Sequence, residues 1–350
     1  MALPELCILD VGHGNCGVVH ATEGVVIVDV PLGRTLVDFL VSRQITEIDL
    51  IIVSHADADH VAGLTPLLLD ERFTVRRILV NPDATKDTHV WNDFRSAAAI
   101  AEQRQNLQVS RDLGSNYAPI TLGETRIEIL SPSTALALAG PGGKELDEHG
   151  GRRMTSNSLS AVVRVVHADS PRALLASDID DIALADLERR AAELTAALLV
   201  FPHHGGHVAN ADNANFTERL CRAVGADTVV FSIGRGKHGT PRPEVIRTVE
   251  ATLNAPHIAC TQLSKRCAAV NPTVTRDHQI TAAAQGSELN VTCTGTIIQD
   301  LGSGAVTPRR ADHVNFVTAH AATHLCLGGA ANAANGDDEP SPDTTFSVEA

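Results

Sequence analysis

The sequence predicts an α/β protein in which two β-sheets lie face to face between outer layers of helices. Two observations predict it. A group of strand-like runs followed by strand–helix alternation occurs twice along the chain, and each sheet must cover both of its apolar faces. Hydrophobic residues make up 43% of the 350 residues and charged residues 20%, a globular balance, but aromatics are only 3%. The core is therefore built mainly from Val, Leu, Ile and Ala.

Taken in order, residues 5–11, 17–20 and 25–30 read as strands separated by Gly-containing turns. Residues 35–43 read as a helix, 48–54 as a buried strand and 61–69 as a helix. A strand at 75–80, a helix at 91–105 and a strand at 125–130 follow. The segment 132–155, with Gly140-Pro-Gly-Gly and His149-Gly-Gly-Arg-Arg, is too polar and Gly-rich for a core element. It reads as a mobile flap or as a plain surface insertion. Strands at 158–166 and 173–176, a helix at 182–195, a strand at 197–201, a helix at 215–224 and a strand at 227–233 come next. The helix at 241–253 has Pro at its start, where the missing N–H is harmless. These elements make up a first domain, 1–255. Residues 256–328 change character and are expected to form a small β-rich extension holding Cys and His, with a hairpin from 279–284 and 288–294. Residues 329–350 carry five acids and no base and read as a disordered tail.

The charge balance excludes some functions. There are 28 Lys and Arg against 42 Asp and Glu, a formal net charge of −14, and removing the tail's five acids shifts it to −9. Such a surface repels polyanions on average, which rules out a general nucleic-acid coat protein and a polybasic membrane binder but not a locally basic groove. No apolar stretch is long enough to span a membrane. Seven widely spaced cysteines and no export signal point to reduced thiols and a cytoplasmic location. Cys7 and Cys16, in or beside strands, read as core thiols.

The strongest chemical signal is Ser54-His55-Ala56-Asp57-Ala58-Asp59-His60, directly after the apolar run 48–53. Four imidazoles and carboxylates fall within six residues, and these are ligand types that Zn²⁺ and Mn²⁺ accept. The intervening alanines are small enough to let the polar side chains turn to one side. The segment resembles the His-x-His-x-Asp-His motif of the metallo-β-lactamase superfamily, with Asp57 at the second His. That substitution resembles the branch containing the metallohydrolase domain of ComEC-type DNA-uptake proteins. Asp10-Val-Gly-His-Gly-Asn15 resembles that branch's opening Asp-Val-Gly-x-Gly motif. Val26-Ile-Val-Asp29 resembles the strand whose Asp buttresses the metal loop. Asn157-Ser-Leu159, Leu174-Leu-Ala-Ser-Asp178 and Phe201-Pro-His-His-Gly-Gly206 complete the ordered set.

The resemblance covers about residues 5–253. It implies a metallo-β-lactamase αββα sandwich and a dinuclear centre, with zinc as the expected metal and manganese as the alternative. Asp178 would bridge the two ions, His55 and Asp57 would hold the first with His204 or His203, and Asp59 and His60 would hold the second. The implied activity is hydrolysis of a phosphodiester, in nucleic acid or a nucleotide, by a hydroxide held between the ions. The alternatives are an ester or amide substrate, or a metal-binding regulatory module that has lost catalysis.

One departure bears on this. Where the branch has Gly-His-Pro before its last helix, this chain has Lys237-His-Gly-Thr-Pro-Arg-Pro243, and alignment on the prolines puts Thr240 at the ligand His. His238, two residues earlier, is expected to substitute at the site or to protonate a leaving group. His207 is a second expected catalytic or substrate contact, alongside Asp59, and His13 a weaker one. Arg152, Arg153, Arg235 and Lys237 are the cations best suited to a phosphate. In the C-terminal region Cys260, Cys267 and Cys293 are ligand types for an additional structural zinc, although their spacing matches no Cys-x2-Cys pair.

Overall fold

Apolar runs closed by Gly, Pro and Asp turns set the element order. The first part holds strands β1 (Glu5–Ile8), β2 (Gly17–Ala21), β3 (Gly24–Val28), β4 (Glu47–Ile48), β5 (Leu50–Val53), β6 (Thr74–Val75), β7 (Arg77–Val80) and β8 (Gln108–Ser110). Helices α1 (Thr35–Ser42), α2 (Ala58–Val61), α3 (Leu64–Leu69) and α4 (His89–Gln105) connect them. The second part holds β9 (Ile120–Leu122), β10 (Thr125–Ser131), β11 (Val162–His167), β12 (Ser170–Leu175), β13 (Leu198–Val200), β14 (Thr228–Phe231) and β15 (His257–Cys260). Its helices are α5 (Thr134–Ala139), α6 (Asp181–Arg189), α7 (Asn213–Val224) and α8 (Pro243–Thr252). Beyond these lie α9 (Gln285–Glu288), β16 (Ile297–Asp300), β17 (Val306–Thr307) and α10 (Arg310–His320). This computed structural model describes residues 3–83, 87–145, 151–208 and 211–328.

Two mixed sheets carry the architecture. One runs β17-β16-β1-β2-β3-β5-β7-β8, the other β15-β14-β13-β12-β11-β10-β9. In each, one half is antiparallel and the other parallel: β3, β5, β7 and β8 run together, as do β12, β13, β14 and β15. Side chains alternate across the strands with period two. Leu6 and Ile8 face the other sheet, where they meet Ile127, Val163, Leu175 and Val200. Cys7 and Leu9 face outward, under Phe39, Leu40, Trp91 and Phe94 of α1 and α4. The outer face of the second sheet is covered by Leu184, Phe216, Leu220, Ile246 and Val249 of α6, α7 and α8, with Phe316 and Val317 of α10. The expected αββα sandwich is the observed one.

Several local expectations differ. The helix expected at 61–69 is two, α2 and α3, broken at Gly63, where a Cβ would lie 2.2 Å from the Pro31 carbonyl oxygen. The segment 132–155 does contain core residues: Leu136 and Met154 are buried with Leu159 and Ile182, and Lys144 bridges to Arg153. Residues 146–150 of it lie outside the described residues. The hairpin expected at 279–294 is absent; that stretch is loop and α9. Cys293 and Thr294 instead donate their N–H groups to Thr261 and Cys260. Strands of the region 256–328 pair at the edges of both sheets, β15 on β14 and β16 on β1. The tail 329–350 lies outside the described residues. Among those described, no helix is long and apolar enough to cross a membrane.

The topology gathers strand ends. β3, β5, β12, β13 and β14 all run parallel within their halves and deliver their carboxyl ends to one edge of the sandwich. In α/β sheets that edge is where ligands bind.

Candidate metal centre

Each strand end contributes a polar side chain to this edge. β3 ends at Asp29, β5 at Ser54 and His55, β12 at Ser177 and Asp178, β13 runs to His203 and His204, and β14 to Ser232. The backbone is forced where it turns these side chains inward. Asp29, Ser177, His203 and His204 have φ of 63°, 48°, 51° and 57°. Non-glycine residues in that region cost of order 1–3 kcal/mol each, and such strain collects at functional sites.

Asp59, His60, Asp178 and His204 bring one ligand atom each within 4.8 Å of one another. His60 Nε2 lies 3.6 Å from Asp178 Oδ2 and 3.8 Å from Asp59 Oδ2, and His204 Nε2 lies 3.6 Å from Asp59 Oδ2. Beside this group, His55 Nε2 is 3.5 Å from Asp57 Oδ2 and His203 Nδ1 is 3.6 Å from Asp178 Oδ2. All exceed the usual N–H···O range. They match the edge of a tetrahedron with ligands at about 2.0–2.1 Å, which is about 3.4 Å.

The tautomers are set from behind. His60 Nδ1 donates to Asp29 Oδ2 at 2.7 Å, and the same carboxylate accepts from Ser54 N and Ser54 Oγ, both at 2.8 Å. His204 Nδ1 donates to the Ser232 carbonyl at 2.7 Å. Both rings therefore point a lone pair from Nε2 into the cluster. Those Nε2 atoms, with His55 Nε2, His203 Nε2 and Asp178 Oδ1, are buried and have no hydrogen-bond partner. Buried polar atoms are ordinarily satisfied, so a set of lone pairs facing carboxylates fits a divalent cation.

The electrostatics agree. Burial lowers the His55 pKa to about 4, helped by the neighbouring His60. Burial also disfavours a charged His60, but Asp29, Asp178 and Asp59 outweigh it and hold its pKa well above the ordinary value. Burial likewise opposes ionised Asp178, yet His60, His203 and His204 keep it well below the carboxylate range. Asp59 is lowered too, by His60 and His204 against burial. A compact set of carboxylates thus demands positive charge from its neighbours.

Other residues position the loops that carry the cluster. Asn81 donates to the carbonyls of Ser54 and Leu159, at 2.8 Å for Leu159, tying the two halves together. Asp83 accepts from Ala56 N at 3.2 Å and from Ser156 Oγ. Within the Asn157-Ser-Leu159 motif, Ser158 Oγ donates to Asp180 at 2.5 Å. One residue on, Ser160 Oγ accepts from Asp178 N at 3.2 Å and lies 3.3 Å from His55 Nδ1. Asn81, Asp83, Ser160 and Ser232 lie outside the ligand-rich motifs of the sequence. Their one available signal is position: each follows closely on an apolar strand or motif.

Of the remaining expected residues, His238 is exposed, with its ring 4.6 Å from that of His13. Thr240 is buried, beside Gly206, and its Oγ1 has no partner. His207 is exposed, and among the described residues no hydrogen bond, ion pair or ring contact joins it to the cluster. Arg152 is not open to a phosphate, because Glu145 and Asp181 hold it. Arg235 donates to the carbonyls of Leu263 and Ala268. Arg153 and Lys237 are exposed. Cys260, Cys267 and Cys293, expected to hold a structural zinc, are buried in the core, and among the described residues the group that could hold a metal includes none of them. Among the described residues, Asp59, His60, Asp178 and His204 are the group that could hold a metal ion.

The fold is that of the metallo-β-lactamases. Residues 9–165 match the metallo-beta-lactamase superfamily. No curated protein matches the sequence. Among solved structures, the metallo-β-lactamase fold protein YhfI from Bacillus subtilis is similar, with 13% identity, 73% of this chain and 96% of that chain covered, and a TM-score of 0.45. A diphosphatase from the PhnP family has 15% identity, covers 71% of this chain and 81% of its own, and has a TM-score of 0.39. Igni18, a metallo hydrolase from Ignicoccus hospitalis, has 15% identity, 71% and 91% coverage, and a TM-score of 0.40.

Proposed function

We propose that this chain is a metal-dependent hydrolase with two divalent ions, zinc first and manganese second, acting on phosphoesters and on phosphodiesters in particular. The observation that carries the reading is the convergence of Asp59, His60, Asp178 and His204, with both imidazole lone pairs turned inward. We assign Asp59, His60 and His204 to one ion, His55, Asp57 and His203 to the other, and Asp178 to both. When bound, paired cations supply a nucleophile at neutral pH and polarise a phosphoryl oxygen. The protein's own part is to hold protons at His60 Nδ1 and His204 Nδ1, away from the ions. We assign the leaving-group contact to His238, because its exposed ring lies 4.6 Å from that of His13, beside the cluster.

An anionic substrate is supported by a cationic lip on an acidic protein. Lys237 stands beside His238, and Lys265 reaches Gly236 in the same turn; both lysines are exposed. Arg266 Nε donates to the Gly239 carbonyl at 2.6 Å. The resemblance to the ComEC-type branch is what implies a nucleic acid or nucleotide, and the formal charge of −14 favours a short substrate over long duplex DNA. All seven cysteines are free thiols, which supports a reducing, cytoplasmic setting.

The test is metal content on purified protein followed by turnover of bis-p-nitrophenyl phosphate with Zn²⁺ and Mn²⁺ side by side. The expected result is close to two ions per chain and turnover that Asp59→Ala abolishes. The Lys237→Glu, Lys265→Glu double variant should raise KM and keep kcat. Less than one ion per chain with no turnover under any metal would overturn the proposal and favour a regulatory module.

A further inference from the structure

Resting on that reading, we infer that His13, from the turn after β1, is an additional ligand of the cation held by Asp59 and His204. The loop before α8, where a ligand His was expected, offers Thr240 instead.

The geometry singles out His13. Its Nε2 lies 3.4 Å from Asp59 Oδ2, the same oxygen that His204 Nε2 approaches at 3.6 Å and His60 Nε2 at 3.8 Å. Three imidazole nitrogens thus surround one carboxylate oxygen, each too far away for an ordinary hydrogen bond. These separations of 3.4–3.8 Å suit donors that share one ion, which with Asp178 would have five protein donors. The His13 and His204 rings are 4.5 Å apart and tilted by 50°.

The turn that carries His13 is built rather than loose. Asp10 accepts from Gly12 N at 3.3 Å on one side. Ser232 Oγ donates to the Gly14 carbonyl at 2.7 Å on the other. Ser232 is also the residue whose carbonyl takes the proton of His204 Nδ1. One serine therefore fixes the His13 turn and the His204 ring together. Two glycines allow the fit. Gly14 has φ 128°, and a Cβ there would fall 2.5 Å from the Asp59 carbonyl oxygen. A Cβ at Gly234 would fall 2.7 Å from His13 N.

Thr240 cannot serve in its place. It is buried against Gly206 and carries a hydroxyl where nitrogen or carboxylate is wanted. His13 Nδ1 is buried without a protein partner, unlike Nδ1 of His60 and His204. Ligand rings fixed by such a partner bind metal more firmly. His13 is therefore the weakest donor of the set, and its cation is the first to leave.

The experiment measures Zn²⁺ stoichiometry and affinity by chelator competition, and Co²⁺ absorption spectra, on wild type, His13→Ala and His13→Gln. The expected result is one tight ion retained and the second weakened by at least the roughly 10–100-fold that losing an outer-shell partner costs. The visible Co²⁺ bands should change for that second ion only, and added imidazole should restore its affinity in His13→Ala. Thermal unfolding in EDTA should match wild type, and the His13→Gln variant covers the case in which His13→Ala does not fold. Two ions bound with wild-type affinity by either variant overturns the assignment of His13 and leaves the proposed function standing. A wild type that binds no ion overturns both.

Discussion

Replacing Asp29 by Asn should weaken metal binding about 10–100-fold, or about 1.4–2.7 kcal/mol, while the protein still folds. Asp29 is fully buried and accepts three hydrogen bonds. In the Asn variant the carbonyl oxygen keeps the Ser54 N bond, and the amide NH₂ takes the place of Oδ2. Ser54 Oγ can rotate to accept from that amide. His60 Nδ1 can stay bonded only by becoming an acceptor, which drives the ring proton onto Nε2, where the lone pair faced Asp59 and Asp178. The backbone does not object, since Asn tolerates a φ of 63° at least as well as Asp. The metal-free fold should lose only about 1–2 kcal/mol, the difference between charge-assisted and neutral bonds. Chelator competition with Zn²⁺ reads the affinity, urea unfolding in EDTA reads the stability, and ¹⁵N shifts of His60 read the tautomer. Wild-type affinity together with a proton found on Nε2 would refute the reasoning.

Three other outcomes follow from the same geometry. Asp178→Ala should lose both ions together, because Asp178 faces His60 on one side and His203 on the other; full occupancy in that variant would end its bridging role. Acid should destabilise the fold through a second, non-catalytic imidazole pair. His257 Nε2 lies 3.1 Å from His313 Nδ1, and His313 Nε2 lies 3.3 Å from Cys293 Sγ. Burial lowers the two pKa values to about 4 and about 3, so the pair stays neutral while an unfolded chain takes up protons. Their stability is present above pH 6.5 and lost as pH falls toward 4, about 2 kcal/mol per imidazole at pH 5; a His313→Leu variant whose urea midpoint falls as steeply as wild type between pH 7 and pH 5 would contradict this. Finally, Cys293→Ser should leave the zinc content unchanged, since Cys293 is not part of the group that could hold a metal; a loss of one zinc per chain would restore the structural site.

The site was more legible than the chain around it, for a physical reason. A metal loop has to follow a buried strand and present several ligand types in a few residues, and 54–60 does so in the sequence itself. The strands behind it are continuous Val, Leu and Ile runs that bury both faces, as β5 does between α4 and the second sheet. What escaped was set by partners distant in sequence. β8 has no apolar pattern to announce it and exists because it pairs with β7. Residues 288–294 alternate like a strand, but Val291 donates its N–H to Gly286, and Cys293 and Thr294 donate theirs to Thr261 and Cys260.

His13 was legible only in part, as a weaker candidate contact. In the sequence it is one imidazole between two glycines, which describes an ordinary turn. Its distinction comes from Asp59 in α2 and from Ser232 and Gly234 after β14, between 46 and 221 positions away. A local pattern can reveal that a loop carries ligands. The number of donors that reach one ion depends on how the two halves of the sandwich close over it, and that is decided by packing.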